Sequence, residues 1–350
     1  MIIKNALVFT PDNGFIKKDI AIEDDLFTEK IPDDLTKEEI LDGEGCYLIP
    51  GLVDVHFHGC AGVDFCDGTP EALHIIGAYE ASNGVTSICP ASMTLPMETL
   101  TKVCKNAKTY HDQWGDAPES RLCGIHLEGP FISVEKKGAQ NPAYIQDPNI
   151  TAFYQLQEAS GNLVRLITIA PETPDAKEFI QELGSKVHIS LGHTCSDYAA
   201  AYEAFSLGAD HVTHMFNAMP GFTHRAPGPI GAAFDAKHVM PELICDGIHI
   251  DPSAVRVAFQ IFGEDRMILI SDSMMATGME DGDYSLGGLP VKVTGNLATL
   301  KDGTIAGSAT NLMDCMRTAV SMGIPLETAV QCATYNPAKS IGVDDVCGSI

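Results

Sequence analysis

The stretch Val53-Asp54-Val55-His56-Phe57-His58-Gly59 decides the fold. It follows Pro50-Gly51 and ends an apolar run that is typical of a buried strand. Successive side chains of a strand alternate between its two faces, so we expect His56 and His58 to point the same way, about 7 Å apart along the chain. Two imidazoles on one face can share a metal ion, although two histidines at a strand end need have no such role. Whether they do depends on what lies at the ends of later strands.

The composition bounds the size of the fold and the class of partner. A chain of 350 residues, 45% of them hydrophobic, can form one large α/β barrel or two domains. Its net charge of −25 argues against nucleic acid or an anionic membrane as the main partner, because both need a basic face. A phosphate group could still be bound by locally placed Arg or His side chains or by backbone N–H groups.

The cysteines and the N-terminus indicate the compartment. Eleven cysteines are scattered without a CxxC pair, and several of them, such as Cys89, Cys123 and Cys245, lie inside apolar runs. Such residues are typically buried thiols in a reducing compartment. The N-terminus lacks the apolar core of a signal peptide, and no run approaches the roughly 20 apolar residues of a membrane span. We therefore predict a cytoplasmic protein.

Residues 1–48 resemble short strands joined by turns, one of them at Pro11-Asp12-Asn13-Gly14. Because a few short strands bury little apolar surface by themselves, we expect a small β-sandwich domain that a further segment completes. The chain's C-terminal residues, about 343–350, are the natural candidate. Val346-Cys347-Gly348-Ser349-Ile350 has the character of a strand's beginning, and we expect a further C-terminal segment beyond it.

From residue 49 to about 342 the pattern becomes strand, loop and helix, repeated. The strand-like runs lie at 52–58, 85–92, 121–129, 163–172, 186–194, 211–217, 242–249 and 267–273. Eight strands alternating with helices predict a (β/α)8 barrel, with an open doubly wound sheet as the alternative. Two segments interrupt the alternation: a Gly-rich stretch at 282–309, predicted to form a hairpin, and a long loop at 130–148. Loops after barrel strands build the functional face.

Seven ligand-type side chains lie at or near the ends of these runs. They are His56, His58, Glu128, His193, His214, His249 and Asp272. Imidazoles and carboxylates converging on one face suit Zn²⁺ or Fe²⁺, which would acidify a bound water and polarise a carbonyl. Glu128 has two oxygens and could bridge two ions, which leaves Asp272 to act as general base and acid. The other histidines are interpreted as packing or surface residues: His74, His111, His126, His188, His211, His224 and His238.

Several motifs resemble, in order and spacing, those of the N-acetylglucosamine-6-phosphate deacetylases of the amidohydrolase superfamily. They are PGLVDVHFHG (50–59), LEGPF (127–131), KKGAQNP (136–142), SLGHT (190–194), THMFNAMPGFTHRAPG (213–228), DGIHID (246–251), ISDSM (270–274) and GTIAGSA (303–309). The first motif is shared by the whole superfamily, whereas the set is specific. The resemblance implies hydrolysis of N-acetylglucosamine 6-phosphate to glucosamine 6-phosphate and acetate, by metal-activated water, in amino-sugar catabolism.

The resemblance also implies roles for individual residues. Glu128, His193 and His214 become metal ligands, and Asp272 becomes the catalytic acid and base. The substrate-binding residues implied are Ala139, Gln140, Asn217, Ala218, Arg225, His249, Ile305, Ala306 and Gly307. Family members are homodimers in which the residue matching Arg225 reaches the neighbouring site.

Two features vary within that family. Some members lack the paired histidines and use one metal; this chain keeps His56 and His58, so a second ion is possible. Gln140 stands where many members have His, and an amide cannot become cationic beside the sugar.

Two other functions remain open at this stage. A different amidohydrolase, such as an adenine deaminase or a cyclic-amide hydrolase, would share the opening motif but need no phosphate clamp, and a deaminase would release ammonia. A barrel that has lost its activity could serve as a binding or assembly protein. Retention of all the ligand-type residues argues against the second alternative.

Overall fold

The computed structural model describes residues 1–11, 13–24, 26–32, 39–115 and 117–350. Its N-terminal part is a small sheet. The strands are β1 Ile2–Thr10, β2 Gly14–Glu23, β3 Leu26–Thr28, β4 Ile40–Asp42 and β5 Tyr47–Leu48. They are arranged in the order β3-β2-β1-β4, with β5 also paired to β1. β1 and β2 are antiparallel and meet at the predicted turn, of which Asp12 lies outside the described residues.

One face of this sheet buries a small apolar cluster of Ile3, Ala6, Val8 and Ile20, against which Ile350 packs. Residues 343–350 thus contact the sheet but do not form the predicted strand. They fold into turns, in which the carbonyl of Val343 accepts hydrogen bonds from the N–H groups of Val346 and Cys347. The turn directs Cys347 onto the apolar interior of the barrel instead of into the sheet.

The next strands build the barrel and a small hairpin in its first loop. They are β6 Leu52–Asp54, β7 Gly59–Cys60, β8 Val63–Asp64, β9 Val85–Ile88, β10 Ala91–Ser92, β11 Arg121–Leu122, β12 Ile125–Glu128, β13 Val164–Ile169, β14 His188–Leu191, β15 His211–Val212, β16 Met240–Ile244 and β17 Ile268–Ile270. β7 pairs only with β8. The second barrel strand is interrupted and consists of β9 and β10, and the third consists of β11 and β12.

All the barrel pairs are parallel. Backbone hydrogen bonds join the last strand to the first just beyond their ends: Asp272 N–H donates to the His56 carbonyl at 2.9 Å, and His58 N–H donates to the Ser273 carbonyl at 2.7 Å. The prediction of a barrel is therefore confirmed, and the open-sheet alternative was wrong.

The helices follow the strands and cover the barrel. They are α1 Pro70–Ser82, α2 Met97–Gln113, α3 Ile150–Ala159, α4 Ala176–Leu183, α5 Tyr198–Leu207, α6 Gly228–Asp235, α7 Pro252–Phe262, α8 Leu312–Ser321, α9 Leu326–Ala333 and α10 Tyr335–Ser340, with 3-10 turns at Phe65–Asp67 and Pro142–Tyr144. The sequence pattern over 326–342 is broken at Thr334, because Pro337 lacks an N–H and its ring would clash with the carbonyl of Ala333 in a continuous helix. No helix among the described residues is long and apolar enough to cross a membrane.

The packing of the barrel interior places the polar side chains of the site at one end of the barrel. A cluster inside the barrel that includes Val53, Leu166 and Ile268 also contains Ile341 and Val343, which follow α10. A larger core fills the space between strands and helices. Because apolar side chains occupy the lower interior, the polar side chains collect at the C-terminal ends of the strands.

The predicted hairpin at 282–309 is a small antiparallel sheet. Its strands are β18 Gly282–Leu286, β19 Leu289–Thr294 and β20 Leu297–Thr299. Leu286, Val291 and Val293 pack with Met93 and Met274 in a separate apolar cluster beside the barrel mouth. The hairpin therefore forms one wall of whatever site lies at that mouth.

Candidate active site

Three strand ends bring their side chains to one point. Glu128 is the last residue of β12, while His193 and His214 each follow their strand by two residues. Oε1 of Glu128 lies 3.0 Å from Nε2 of His193 and 3.0 Å from Nε2 of His214, and the two Nε2 atoms are 3.1 Å apart. All three side chains are buried. We call them the Glu128 cluster.

The hydrogen bonds around this cluster suit a metal ion. Nδ1 of His193 lies 2.8 Å from the carbonyl of Lys136, which can only accept, so Nδ1 carries the ring hydrogen and Nε2 offers its lone pair. That lone pair faces Nε2 of His214 and a carboxylate oxygen, an arrangement that a cation between them would satisfy. Two imidazoles and a carboxylate form a donor set that Zn²⁺ and Fe²⁺ accept, with a position left for water. The residues therefore fit a divalent metal.

A second group lies directly beside it and consists of His56, His58 and Asp272, here the Asp272 cluster. Oδ1 of Asp272 is 3.3 Å from Nε2 of His58 and 3.8 Å from Nε2 of His56. The same two nitrogens each lie 3.4 Å from an oxygen of Glu128. Glu128 therefore stands between the clusters, in the position that bridging two ions would require.

The backbone turns sharply at three of these residues. His193, His214 and Asp272 have φ values of 47°, 28° and 49°. This left-handed region is uncommon for residues with a Cβ, and such conformations concentrate at functional sites. At each position the chain leaves its strand while the side chain stays in the barrel mouth.

Electrostatics keep both site carboxylates ionised. Burial raises the pKa of Glu128, but the neighbouring His56 and His193 outweigh this effect and hold that pKa well below its usual value. Burial likewise opposes ionisation of Asp272, yet its hydrogen bond to His58 and the nearby imidazoles lower its pKa. An ionised Glu128 can ligate a cation, and an ionised Asp272 can accept a proton.

Sequence reasoning missed Glu242, a fully buried residue in the middle of β16. Its Oε2 accepts hydrogen bonds from Nδ1 of His56 at 2.8 Å and from the backbone N–H of His214 at 3.0 Å. Glu242 lies in the middle of its strand, whereas the pattern of strand ends predicts functional side chains only at the barrel mouth. The available signal was a carboxylate within the otherwise apolar run Met240-Pro241-Glu242-Leu243-Ile244.

His126, interpreted from the sequence as a packing residue, lies directly beneath the site. Its ring is 4.5 Å from that of His56, and its Nε2 lies 2.7 Å from Oγ1 of Thr168. Burial lowers the pKa of His126 to about 3, so its ring is neutral. It lies within ligand distance of His56 and Glu242 but does not belong to the Glu128 cluster.

A cavity of about 400 Å³ opens above both clusters. The implied substrate-binding residues that line it are Ala139, Gln140, Asn217, Ala218, His249, Ile305 and Gly307. Ala306 is fully buried behind this wall. Arg225 is exposed and is absent from the lining of this chain's own cavity.

The long loop at 130–148 contributes more to the cavity than expected. Gln140 donates from Nε2 to Oε2 of Glu128 at 2.7 Å and accepts at Oε1 from the N–H of Thr94 at 2.7 Å, so it orients Glu128. Lys136 and Lys137 also line the cavity. They place positive charge there in an otherwise acidic protein, and the resemblance had not assigned them a role.

His249 faces the cavity from the loop after β16. Its Nδ1 donates to Oδ2 of Asp246 at 2.7 Å. Burial lowers the pKa of His249, but the hydrogen bond and charge of Asp246 outweigh it, and the pKa rises above its usual value. The ring is therefore suited to donate a hydrogen bond from Nε2 into the cavity.

Comparison with known proteins places this geometry in a family. The model of the Amidohydrolase family matches residues 47–350. N-acetylglucosamine-6-phosphate deacetylase of Bacillus subtilis is 35% identical over 100% of this chain and 90% of its own length. N-acetylgalactosamine-6-phosphate deacetylase of Escherichia coli O157:H7 is 34% identical over 87% of this chain and 80% of its own.

A solved structure agrees with this assignment. A mutant of N-acetyl-D-glucosamine-6-phosphate deacetylase from Mycobacterium smegmatis, in complex with N-acetyl-D-glucosamine-6-phosphate, superposes with a TM-score of 0.90 at 31% identity, covering 100% of this chain and 92% of that one. The chain therefore belongs to the amidohydrolase family and, within it, to the N-acetylglucosamine-6-phosphate deacetylases.

Proposed function

We propose that this protein hydrolyses N-acetylglucosamine 6-phosphate to glucosamine 6-phosphate and acetate, as a step of amino-sugar catabolism. The observation that carries the proposal is the convergence of Glu128, His193 and His214 within 3.0–3.1 Å of one another at the floor of a cavity that Asp272 also lines. Membership of the deacetylase family supplies the substrate class.

Glu128, His193 and His214 would hold a divalent ion, Zn²⁺ or Fe²⁺, and His56 and His58 would allow a second one. When bound, such an ion polarises the amide carbonyl and acidifies water. Gln140 keeps Glu128 oriented for this role through its amide hydrogen bond.

Asp272 moves the protons. As an ionised carboxylate it accepts a proton from the attacking water, and it then returns that proton to the departing amine nitrogen. His249 donates a hydrogen bond from Nε2 to the carbonyl oxygen as negative charge develops there. Both groups face the same cavity, so one substrate can contact both of them.

The phosphate would be held partly by a second subunit. Arg225 lies in an exposed loop and is absent from its own chain's cavity, which supports a homodimer in which it reaches the neighbouring site. A guanidinium can grip a phosphate through two parallel hydrogen bonds. Asn217, Ala218 and the backbone of residues 305–307 complete the binding site from within the chain.

Two further proposals concern organisation and compartment. We divide the chain into a β domain, residues 1–48, completed by about 343–350, and a hydrolase barrel, residues 49–342. The separate apolar cluster of the small sheet, against which Ile350 packs, supports this division. We also place the protein in the cytoplasm, because all eleven cysteines are free thiols.

An assay of product release tests the function. Freshly purified protein is analysed for metal and then given N-acetylglucosamine 6-phosphate, its galactosamine epimer, unphosphorylated N-acetylglucosamine and adenine in separate reactions, while acetate and ammonia are measured. We expect acetate from the glucosamine substrate, and much less from the unphosphorylated sugar. Faster release from the galactosamine epimer would reassign the substrate, and ammonia from adenine without acetate from any sugar would overturn the proposal.

A further inference from the structure

Glu242 is a buried carboxylate without an assigned role that contacts both clusters. One oxygen, Oε2, accepts from the ring of His56 in the Asp272 cluster and from the backbone of His214 in the Glu128 cluster. Its other oxygen faces Nδ1 of His211 at 3.7 Å, beyond hydrogen-bond distance. A buried charge of this kind is costly unless it is paired, so its contacts with His56 and His214 define what it does.

We propose that Glu242 is a positioning residue that fixes the ring hydrogen of His56 on Nδ1 and thereby prepares the Asp272 cluster to bind the second ion. The proposal deepens the proposed function and rests on its metal centre.

A histidine that ligates an ion is neutral, and the geometry decides where the single hydrogen of the His56 ring then lies. Nδ1 is 2.8 Å from Oε2 of Glu242, whereas Nε2 is 3.4 Å from Oε1 of Glu128 and 3.8 Å from Oδ1 of Asp272. Only the first contact has a good hydrogen-bond length, so the ring hydrogen lies on Nδ1 and is donated to Glu242. Nε2 is buried without a hydrogen-bond partner among the described residues and keeps its lone pair for an ion.

Without the Glu242 carboxylate the same ring would act against metal binding. A hydrogen on Nε2 would point at Glu128 and occupy the oxygen that a bridging position needs. His58 has a different partner, because its Nδ1 lies 3.2 Å from the carbonyl of Ala91, which can only accept a hydrogen bond. The two histidines of one motif are therefore oriented by different partners, a backbone carbonyl and a distant carboxylate.

The test replaces the carboxylate by its amide. Glu242→Gln keeps the shape, and its amide oxygen can still accept from the N–H of His214, but it lacks the negative charge that makes the carboxylate the stronger acceptor for Nδ1–H of His56. We expect wild type to bind two Zn²⁺ per chain, and the variant to hold the first normally while binding the second roughly 10- to 100-fold more weakly, as is typical for partners of metal ligands. Zn²⁺ titration against a chelating indicator measures both constants.

Two further measurements separate positioning from general damage. ¹⁵N NMR of the imidazole rings should find the His56 hydrogen on Nδ1 in wild-type protein, a result that needs no variant. His211→Asn, which removes the neighbour on the other side of Glu242, serves as the matched control and should leave the second ion in place.

The outcomes are distinguishable from those of the function assay. Equal second-ion affinity in wild type and Glu242→Gln, a His56 hydrogen on Nε2, or a wild type that binds a single ion would each overturn the inference. Absence of acetate release together with the expected metal titrations would overturn the function and leave the role of Glu242 intact.

Discussion

The two clusters in the barrel mouth are built from similar residues but differ in geometry. In the Glu128 cluster the three ligand atoms lie 3.0–3.1 Å apart, and its members are separated by up to 86 positions along the chain. In the Asp272 cluster the distances from Asp272 to the two histidines are 3.3 and 3.8 Å, although His56 and His58 belong to one motif. The tighter arrangement is suited to retaining an ion, and the looser one leaves a carboxylate able to exchange protons.

The first prediction breaks the tighter cluster. His193→Asn removes one of three ligands, so we expect the first ion to be lost and acetate release to fall by about 10³-fold or more. Metal analysis and an acetate assay measure both effects. His188→Asn, at the start of the strand that precedes His193 and away from the cavity, is the matched control and should retain ion and activity. An ion held at full affinity by His193→Asn would contradict the assignment.

The second prediction separates proton transfer from metal binding. Asp272→Asn keeps the shape of the side chain but cannot accept a proton, so we expect turnover to fall by about 10²- to 10⁴-fold. The ion in the Glu128 cluster should remain, because Asp272 is not one of its ligands. Near-normal turnover in this variant would remove Asp272 from the mechanism.

The third prediction concerns a residue outside both clusters. Arg225→Ala should raise KM for the phosphorylated sugar by roughly 10- to 100-fold, the equivalent of losing a charged hydrogen bond worth about 1.5–3 kcal/mol. Metal content should be unaffected, and the rate with unphosphorylated sugar unchanged. His224→Ala, its exposed neighbour, is the control. An unchanged KM in Arg225→Ala would favour an amidohydrolase without a phosphate clamp.

The fourth prediction breaks the looser cluster. His58→Asn should abolish the second ion but leave the first, because the Glu128 cluster remains complete. We expect turnover to fall by no more than about tenfold, or about 1.4 kcal/mol, since the family resemblance implies that one ion suffices. Metal stoichiometry and kcat of the variant test this. A loss as large as that of His193→Asn would show that the two clusters work only together.

The contrast between the clusters also shows what the sequence can reveal. The fold was predictable because eight apolar runs alternate with helical patterns, and Glu128, His193 and His214 were predictable because barrel strands end on one face. Glu242 was not, because its function depends on a contact across the barrel with a residue 186 positions away. The turns at 343–350 depend on packing against the barrel, and no local pattern encodes that preference.

The smallest expected effect tests the electrostatics beside the clusters. Burial lowers the pKa of His249 and Asp246 is the main group that raises it, so in Asp246→Asn burial is opposed only by the smaller effect of Asp272 and the pKa falls. The imidazolium is then lost at lower pH, and we expect the alkaline limb of the kcat/KM profile to shift to lower pH while the ions stay bound. Asp251→Asn, which alters the cap of α7 instead, should leave the profile unchanged.

Stability should follow the same linkage. The raised pKa of His249 stabilises the folded state at low pH, and this stabilisation disappears as the pH rises through the folded-state pKa of His249. The lowered pKa of Asp246 stabilises the folded state above the ordinary pKa of Asp, and this stabilisation is lost as the pH falls through the folded-state pKa of Asp246. The pair therefore stabilises the fold between these limits. The Tm difference between wild type and Asp246→Asn should shrink above the His249 pKa, and a difference that grew with pH would show that the imidazolium does not form.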